Sequence, residues 1–183
     1  HYTPNRFAQA LSARRNSTKI GVVLFRSSNK LYDEIIRGVQ SQAKNLSDAG
    51  CKLLIHPCRD ISAEDQLEAI ASSVEQSAQG LILSPVNDAK ISEKVSELHQ
   101  DAIPVITVNS DVKNTDRLCY VGSNYYVSGK TASALLGMIT NGLANVGIVT
   151  GFHSIECHSD RIAGFKEKIV RSFPGLHITE IAE

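Results

Sequence analysis

Residues Ile20–Gly50 read IGVVLFRSSNKLYDEIIRGVQSQAKNLSDAG, and this stretch decides the fold. It opens on the apolar run Ile20–Phe25 and passes through a polar loop, Arg26-Ser27-Ser28-Asn29-Lys30. Leu31, Tyr32, Ile35, Ile36, Val39, Ala43 and Leu46 then recur at the three- and four-residue spacing of a one-sided helix. Gly50 follows, where a left-handed residue can end a helix. The next run, Cys51–His56, has the composition of a second strand. Strand, loop, helix and strand in this order make a βαβ crossover. Ligands of open α/β sheets bind beyond the carboxyl ends of the strands. The loop after Phe25 is therefore the first candidate for a ligand contact.

The pattern repeats along the chain. Ser62, with Asp65 three residues on, predicts a capped helix whose apolar positions are Leu67, Ile70, Ala71 and Val74. Gly80–Pro85 predicts a buried strand, and Asn87-Asp88 starts a helix carrying Ile91, Val95 and Leu98. Ile103–Val108 predicts a fourth strand with Pro104 near its start, and Asn109-Ser110-Asp111 follows at its carboxyl end. Leu118–Val121 predicts a fifth strand. Val127, Thr131, Ala134, Leu135 and Met138 then mark the inner face of the next helix. Asn145–Thr150, a helix with Ile162, Phe165, Ile169 and Val170, and a strand from Leu176 complete the 183 residues. Such alternation predicts an α/β protein with a doubly wound parallel sheet.

Charge is balanced overall but unevenly placed. Residues 1–19 hold Arg6, Arg14, Arg15 and Lys19 and no acid, while the rest of the chain is mildly acidic. A basic arm on an acidic body points to a polyanionic partner; a solvated tail is the plainer alternative. No apolar run approaches the length that spans a bilayer, so no membrane partner is expected. Cys51, Cys58, Cys119 and Cys157 show no CxxC spacing, which favours buried reduced thiols, with a Cys51–Cys58 bridge as the alternative. His153, Glu156, Cys157 and His158 could ligate zinc, but their spacing matches no standard site, and no metal or cofactor is expected. The phosphate-binding and nucleophile-elbow motifs GxGxxG, GxxxxGKS and GxSxG are absent, so the chain does not read as an enzyme. A phosphate-handling loop at Ser27-Ser28-Asn29 is the enzymatic alternative.

Two groups of motifs resemble the lactose-repressor (LacI/GalR) family of transcriptional regulators and the related periplasmic sugar-binding proteins. One is YTPNRFAQAL-SARRNSTKIGVV at residues 2–23. The other is the series IGVVLF, NKLY, GLILSP, IPVITVNSD, YVGSN and SDRIAGF. The resemblance implies two doubly wound lobes of the type I periplasmic-binding-protein-like fold, the second incomplete. Residues 1–19 would be a DNA-contacting hinge segment, 20–122 the N-terminal effector-binding lobe, and 123–183 part of the C-terminal one. It further implies a cytoplasmic homodimer that binds operator DNA and a small sugar or related metabolite. Leu11 would wedge into the minor groove, with Ala8 allowing close approach. Asn5 belongs to the Tyr-x-Pro-Asn motif, and Arg6, Arg14 and Arg15 would contact phosphates.

For the effector, the resemblance implies Ser28, Asn29, Tyr32, Asn109, Ser110, Asp111, Asn124 and Arg161. Asn109 and Ser110 stand where pentose-binding relatives carry an Asp-Arg pair, a departure that removes a charged clamp. Tyr32 and Arg161 also have structural readings: Tyr32 as part of its helix's core face, Arg161 as an ion pair with Asp160 or Glu156. A periplasmic sugar-binding protein of a transporter is the alternative function.

Overall fold

Strand β1 (Thr18–Phe25) carries the most deeply buried run among the described residues, with Val22, Val23, Leu24 and Phe25 all shielded from solvent. The computed structural model describes residues 17–25, 30–152 and 155–183. The expected DNA-contacting positions Asn5, Arg6, Ala8, Leu11, Arg14 and Arg15, and the expected effector positions Ser28 and Asn29, lie outside the described residues.

From β1 the chain runs through α1 (Lys30–Asp48) and β2 (Cys51–Cys58), then α2 (Ala63–Glu75), β3 (Gly80–Leu83), α3 (Ala89–Gln100), β4 (Val105–Val108) and β5 (Cys119–Val121). These strands form one parallel sheet in the order β2-β1-β3-β4-β5. The order reverses between β1 and β3, because the chain first moves outward to β2 and then crosses back. Such a switch point opens a crevice at the carboxyl ends of the strands. Helix α4 (Tyr125–Ile139), strand β6 (Ala144–Val149), helix α5 (Glu156–Ser172) and strand β7 (Leu176–Ala182) follow, with β6 and β7 as a separate parallel pair. The architecture is the expected α/β arrangement of parallel sheets and covering helices.

Local chemistry sets the element ends. Gly50 takes φ +81° after α1, and its carbonyl accepts the Thr18 amide at 2.9 Å. Ser62 caps α2 by accepting the Asp65 amide at 3.2 Å, and Asp88 caps α3 by accepting the Lys90 amide at 2.8 Å. Ile91, Val95 and Leu98 form the buried face of α3, as their spacing predicts.

Elsewhere the packing departs from the sequence pattern. Pro104 lies ahead of β4 rather than inside it; its carbonyl accepts the Leu81 amide at 2.9 Å. On α2 the buried residues are Ala63, Gln66, Ile70 and Ser73, while Ala71 and Val74 face solvent. Gln66 is fully buried because its amide replaces two backbone partners, donating to the Ser84 carbonyl at 2.8 Å and accepting the Val86 amide at 3.0 Å.

Helix α4 departs most. Its buried residues are Gly129, Ser133 and Gly137, whereas Val127, Leu135 and Met138 are exposed. The reason is backbone approach to α5: a Cβ on Gly129 would strike the Arg161 carbonyl, and one on Gly164 would strike the Tyr126 carbonyl. Val170 of α5, expected on the core face, is likewise exposed. Leu118 lies outside β5 and faces solvent. All four cysteines are free; Cys58 and Cys157 are buried, Cys51 is half-buried and Cys119 is exposed. Among the described residues, no helix is long and apolar enough to cross a membrane.

Candidate ligand-binding cleft

Asn109, the first residue beyond β4, has the left-handed φ of +63°, a conformation that Asn tolerates better than most residues. Its amide nitrogen donates to the Val121 carbonyl at 3.1 Å, and its carbonyl accepts from the Tyr120 hydroxyl at 3.1 Å. With the backbone so fixed, the side chain joins both parts of the molecule. Nδ2 donates to the Tyr32 hydroxyl on α1 at 3.3 Å, and Oδ1 accepts from the Tyr125 hydroxyl on α4 at 2.7 Å.

Tyr32 is buried in the core of the five-stranded unit, its ring edge-on to Phe25 at 5.5 Å. Its hydroxyl lies 3.5 Å from that of Ser84. Burial pushes its pKa up, although the bonds to Ser84 and Asn109 pull the other way. On the opposite side, the Arg161 guanidinium sits over the Tyr125 ring, 4.3 Å from its centre. Burial also raises the Tyr125 pKa. Both phenols therefore stay neutral near pH 7 and can offer hydrogen bonds.

These groups border a cavity of about 420 Å³ between the two sheets. That size suits a small metabolite. Leu31 and Phe152 add exposed apolar surface to its wall, and the start of α5 contributes Cys157, His158 and Arg161. Burial raises the Cys157 thiol despite the nearby Arg161. Among the described residues, no group of three His, Cys, Asp or Glu side chains is arranged to hold a metal ion.

A second hollow, of about 410 Å³, lies beside the first and shares Tyr125 and Cys157 with it. Its charges are mutually engaged. Lys113 reaches Glu156 at 2.8 Å and Asp160 at 2.5 Å, and the Asn87 side chain donates to Glu156 at 2.5 Å. These contacts run from the five-stranded unit to α5. Burial opposes the charge on Lys113, but Asp160 and Glu156 outweigh it and hold the pKa above its ordinary value. In the same region Tyr120 is pushed up to about 12 by burial, with smaller contributions from Tyr125 and Asp111.

Of the expected effector positions that are described, Tyr32, Asn109 and Arg161 meet at the first cavity. Asp111 and Asn124 line the second. Asp111 accepts from Arg117 at 2.7 Å, from the Thr107 hydroxyl at 2.7 Å and from the Val112 amide at 3.0 Å. Asn124 caps α4 by accepting the Val127 amide at 3.0 Å. Ser110 is buried, with its hydroxyl unpartnered. Tyr125 and Phe152 join the cavity without having been singled out as ligand contacts, and Cys157 and His158, weighed from sequence only as zinc ligands, line it as well. Tyr125 left a sequence signal, as an aromatic residue directly after a helix cap.

Relatives align along most of the chain. Catabolite control protein A of Staphylococcus epidermidis is 25% identical over 170 residues, 91% of this chain and 47% of its own length. The ribose import binding protein RbsB of Bacillus subtilis is 21% identical over 84% of this chain and 49% of its own. The chain thus spans about half the length of the curated relatives it matches. Among solved structures, the glucose-galactose binding protein GanP of Geobacillus stearothermophilus is 26% identical, with a TM-score of 0.81. That likeness covers 91% of this chain and 58% of GanP. A solute binding protein of Burkholderia graminis, solved with D-arabinose, shares the fold at a TM-score of 0.80 and 22% identity over 90% of this chain and 56% of its own. Residues 20–183 match the periplasmic binding protein domain, and the chain belongs to that family.

Proposed function

We propose that this chain is the effector-binding region, with hinge, of a LacI-type transcriptional regulator, and that a small sugar or sugar-like metabolite binds between its lobes. The observation that carries the reading is the convergence of Tyr32, Asn109, Tyr125 and Arg161 from both units on one cavity. Its hydroxyl, amide and guanidinium groups can match sugar hydroxyls, while Leu31 and Phe152 offer apolar surface to the sugar's C–H faces. The chemistry is binding, with no bond made or broken. Residues 20–122 and 123–183 act as the two lobes, and residues 1–19 carry their relative angle to DNA in a cytoplasmic homodimer. Effector binding biases one lobe arrangement, and so changes operator affinity.

The regulator is preferred over a transporter component for the basic segment ahead of the first strand, where Arg6, Arg14, Arg15 and Lys19 stand without an acid and suit a polyanionic partner. The names of GanP and the ribose import protein favour the second reading, a sugar-binding protein serving transport. An electrophoretic shift of operator-like duplexes by the protein with its complete chain separates the two. A shift that sugars modulate supports the regulator. Sugar binding with no affinity for any duplex above the non-specific level rejects it.

A further inference from the structure

We propose that Lys113 and Asn87 of the five-stranded unit, with Glu156 and Asp160 of α5, form a latch that holds the cleft closed before any ligand enters, and that salt loosens it. This deepens the proposed function by naming the contact that sets the resting lobe arrangement, and it rests on the two-lobe reading.

Each oxygen of the Glu156 carboxylate meets its own donor across the gap between the units. Oε1 takes Lys113 Nζ at 2.8 Å, and Oε2 takes the Asn87 amide at 2.5 Å. Lys113 also reaches Asp160, one turn further along α5, at 2.5 Å. Both donors stand on loops beyond the carboxyl ends of strands, Asn87 after β3 and Lys113 after β4. Those loops are anchored within their own unit. The buried Gln66 amide holds Ser84 and Val86. Asp111 accepts the amide of the buried Val112, whose carbonyl accepts from the Thr115 hydroxyl at 3.0 Å. The donors therefore stay with the sheet when α5 moves.

The start of α5 serves both hollows. Cys157, His158 and Arg161 line the first, and Glu156, Cys157 and Asp160 line the second. Withdrawing this helix from the five-stranded unit breaks the latch and widens the first cavity in one motion. The chemistry suits a contact that is made and broken. Lys113 is half exposed, and its ammonium is a rotatable point charge on a flexible stem, without the fixed fork of an arginine. Ion pairs of this kind are weak and are screened by salt. Such a contact biases the balance between latched and open arrangements by about three- to tenfold. The apparent affinity for a cleft ligand then scales with the latched fraction, even when the ligand is uncharged.

The test measures the separation of the two units in the complete, ligand-free protein. Spin labels on Gln100→Cys in α3 and Ala163→Cys in α5, both exposed positions, report it by double electron–electron resonance in a Cys51→Ser, Cys119→Ser background. In about 50 mM salt the short, latched distance predominates in the otherwise unaltered protein. Lys113→Met moves the ratio of short to long distances about three- to tenfold toward the long one, and Glu156→Gln moves it in the same direction. Raising the salt to about 1 M shifts the protein with Lys113 in the same way and leaves Lys113→Met nearly unchanged. The salt response of the protein with Lys113 needs no change in the latch itself, so a folding defect in a latch variant does not decide the result. Equal distance distributions with and without Lys113 at low salt, or a shift in Lys113→Met that about 1 M salt fails to reproduce in the protein with Lys113, overturns the latch. The measurement uses neither DNA nor effector, so the electrophoretic shift decides the regulator separately.

Discussion

Replacing Lys113 with methionine keeps much of the side chain's bulk and removes the cation from between Glu156 and Asp160. The lysine is half exposed, at 51% of its side-chain surface, whereas the carboxylates retain 18% and 24%. Exposed ion pairs contribute roughly 0.2–1 kcal/mol each once solvent screening is counted. Two pairs sharing one amine, with shielded acids, should then contribute about 1–2 kcal/mol in total. The variant also leaves two acids on adjacent helical turns without their common counter-ion. For a chain of this length, about 1 kcal/mol moves the melting temperature by roughly 2–4 °C, so Lys113→Met should melt lower by about that much or somewhat more.

The assay is thermal unfolding of wild type, Lys113→Met, Glu156→Gln and the double variant, in low salt and in about 1 M salt. The double-mutant cycle isolates the pair from the separate loss of the Asn87–Glu156 hydrogen bond. A coupling of about 0.5–1 kcal/mol should appear in low salt and shrink in high salt. Zero coupling at low salt, or a loss that salt leaves untouched, refutes the claim that an ionic contact ties α5 to the five-stranded unit.

Gln66→Ala should cost about 2–4 kcal/mol in denaturant unfolding, because it strands the Ser84 carbonyl and the Val86 amide as well as leaving a void; a loss below about 1 kcal/mol would show that water replaces the amide. Gly164→Ala should destabilise by at least about 1–3 kcal/mol, since its methyl would meet the Tyr126 carbonyl, and chemical denaturation will measure it. Alkylation at about pH 8 followed by mass spectrometry should label the exposed Cys119 first and Cys58 last, because burial pushes the Cys58 thiol up to about 12 and starves it of thiolate. Alkaline stability carries a matching sign. The folded state holds the Tyr120 proton more tightly than the unfolded chain, so that contribution is complete below pH 10 and lost as pH rises toward about 12. An unfolding midpoint that rises between those values would contradict it.

Strands β1, β3 and β4 were legible because a parallel strand covered on both faces needs a continuous apolar run, and few other structures do. The caps Ser62 and Asp88 were legible because an oxygen placed just before a helix has one obvious donor to meet. Helix α4 was misread for a physical reason. Hydrophobic periodicity weighs large side chains, and Val127, Leu135 and Met138 outweigh Gly129, Ser133 and Gly137 in any such sum. Close backbone contact is selected by the absence of side chain, so the face that packs carries almost no hydrophobic signal. Gln66 was passed over for the related reason that an amide looks solvated until the backbone groups it serves are located.

The cleft was legible as a place more than as a set of contacts. The rule that ligands gather beyond the carboxyl ends of strands points to Asn109, and the structure puts its side chain between Tyr32 and Tyr125. Yet one amide that touches both units does more than face a ligand. A sugar hydroxyl or carboxylate that displaced the Tyr125 phenol from Oδ1, or used the second hydrogen on Nδ2, would be felt on α1 and α4 together. The left-handed backbone of Asn109 is held at both its amide and its carbonyl by Val121 and Tyr120 of β5. Under the proposed function, an exchange of partners at this residue is the route by which a ligand in the cleft would shift α1 relative to α4.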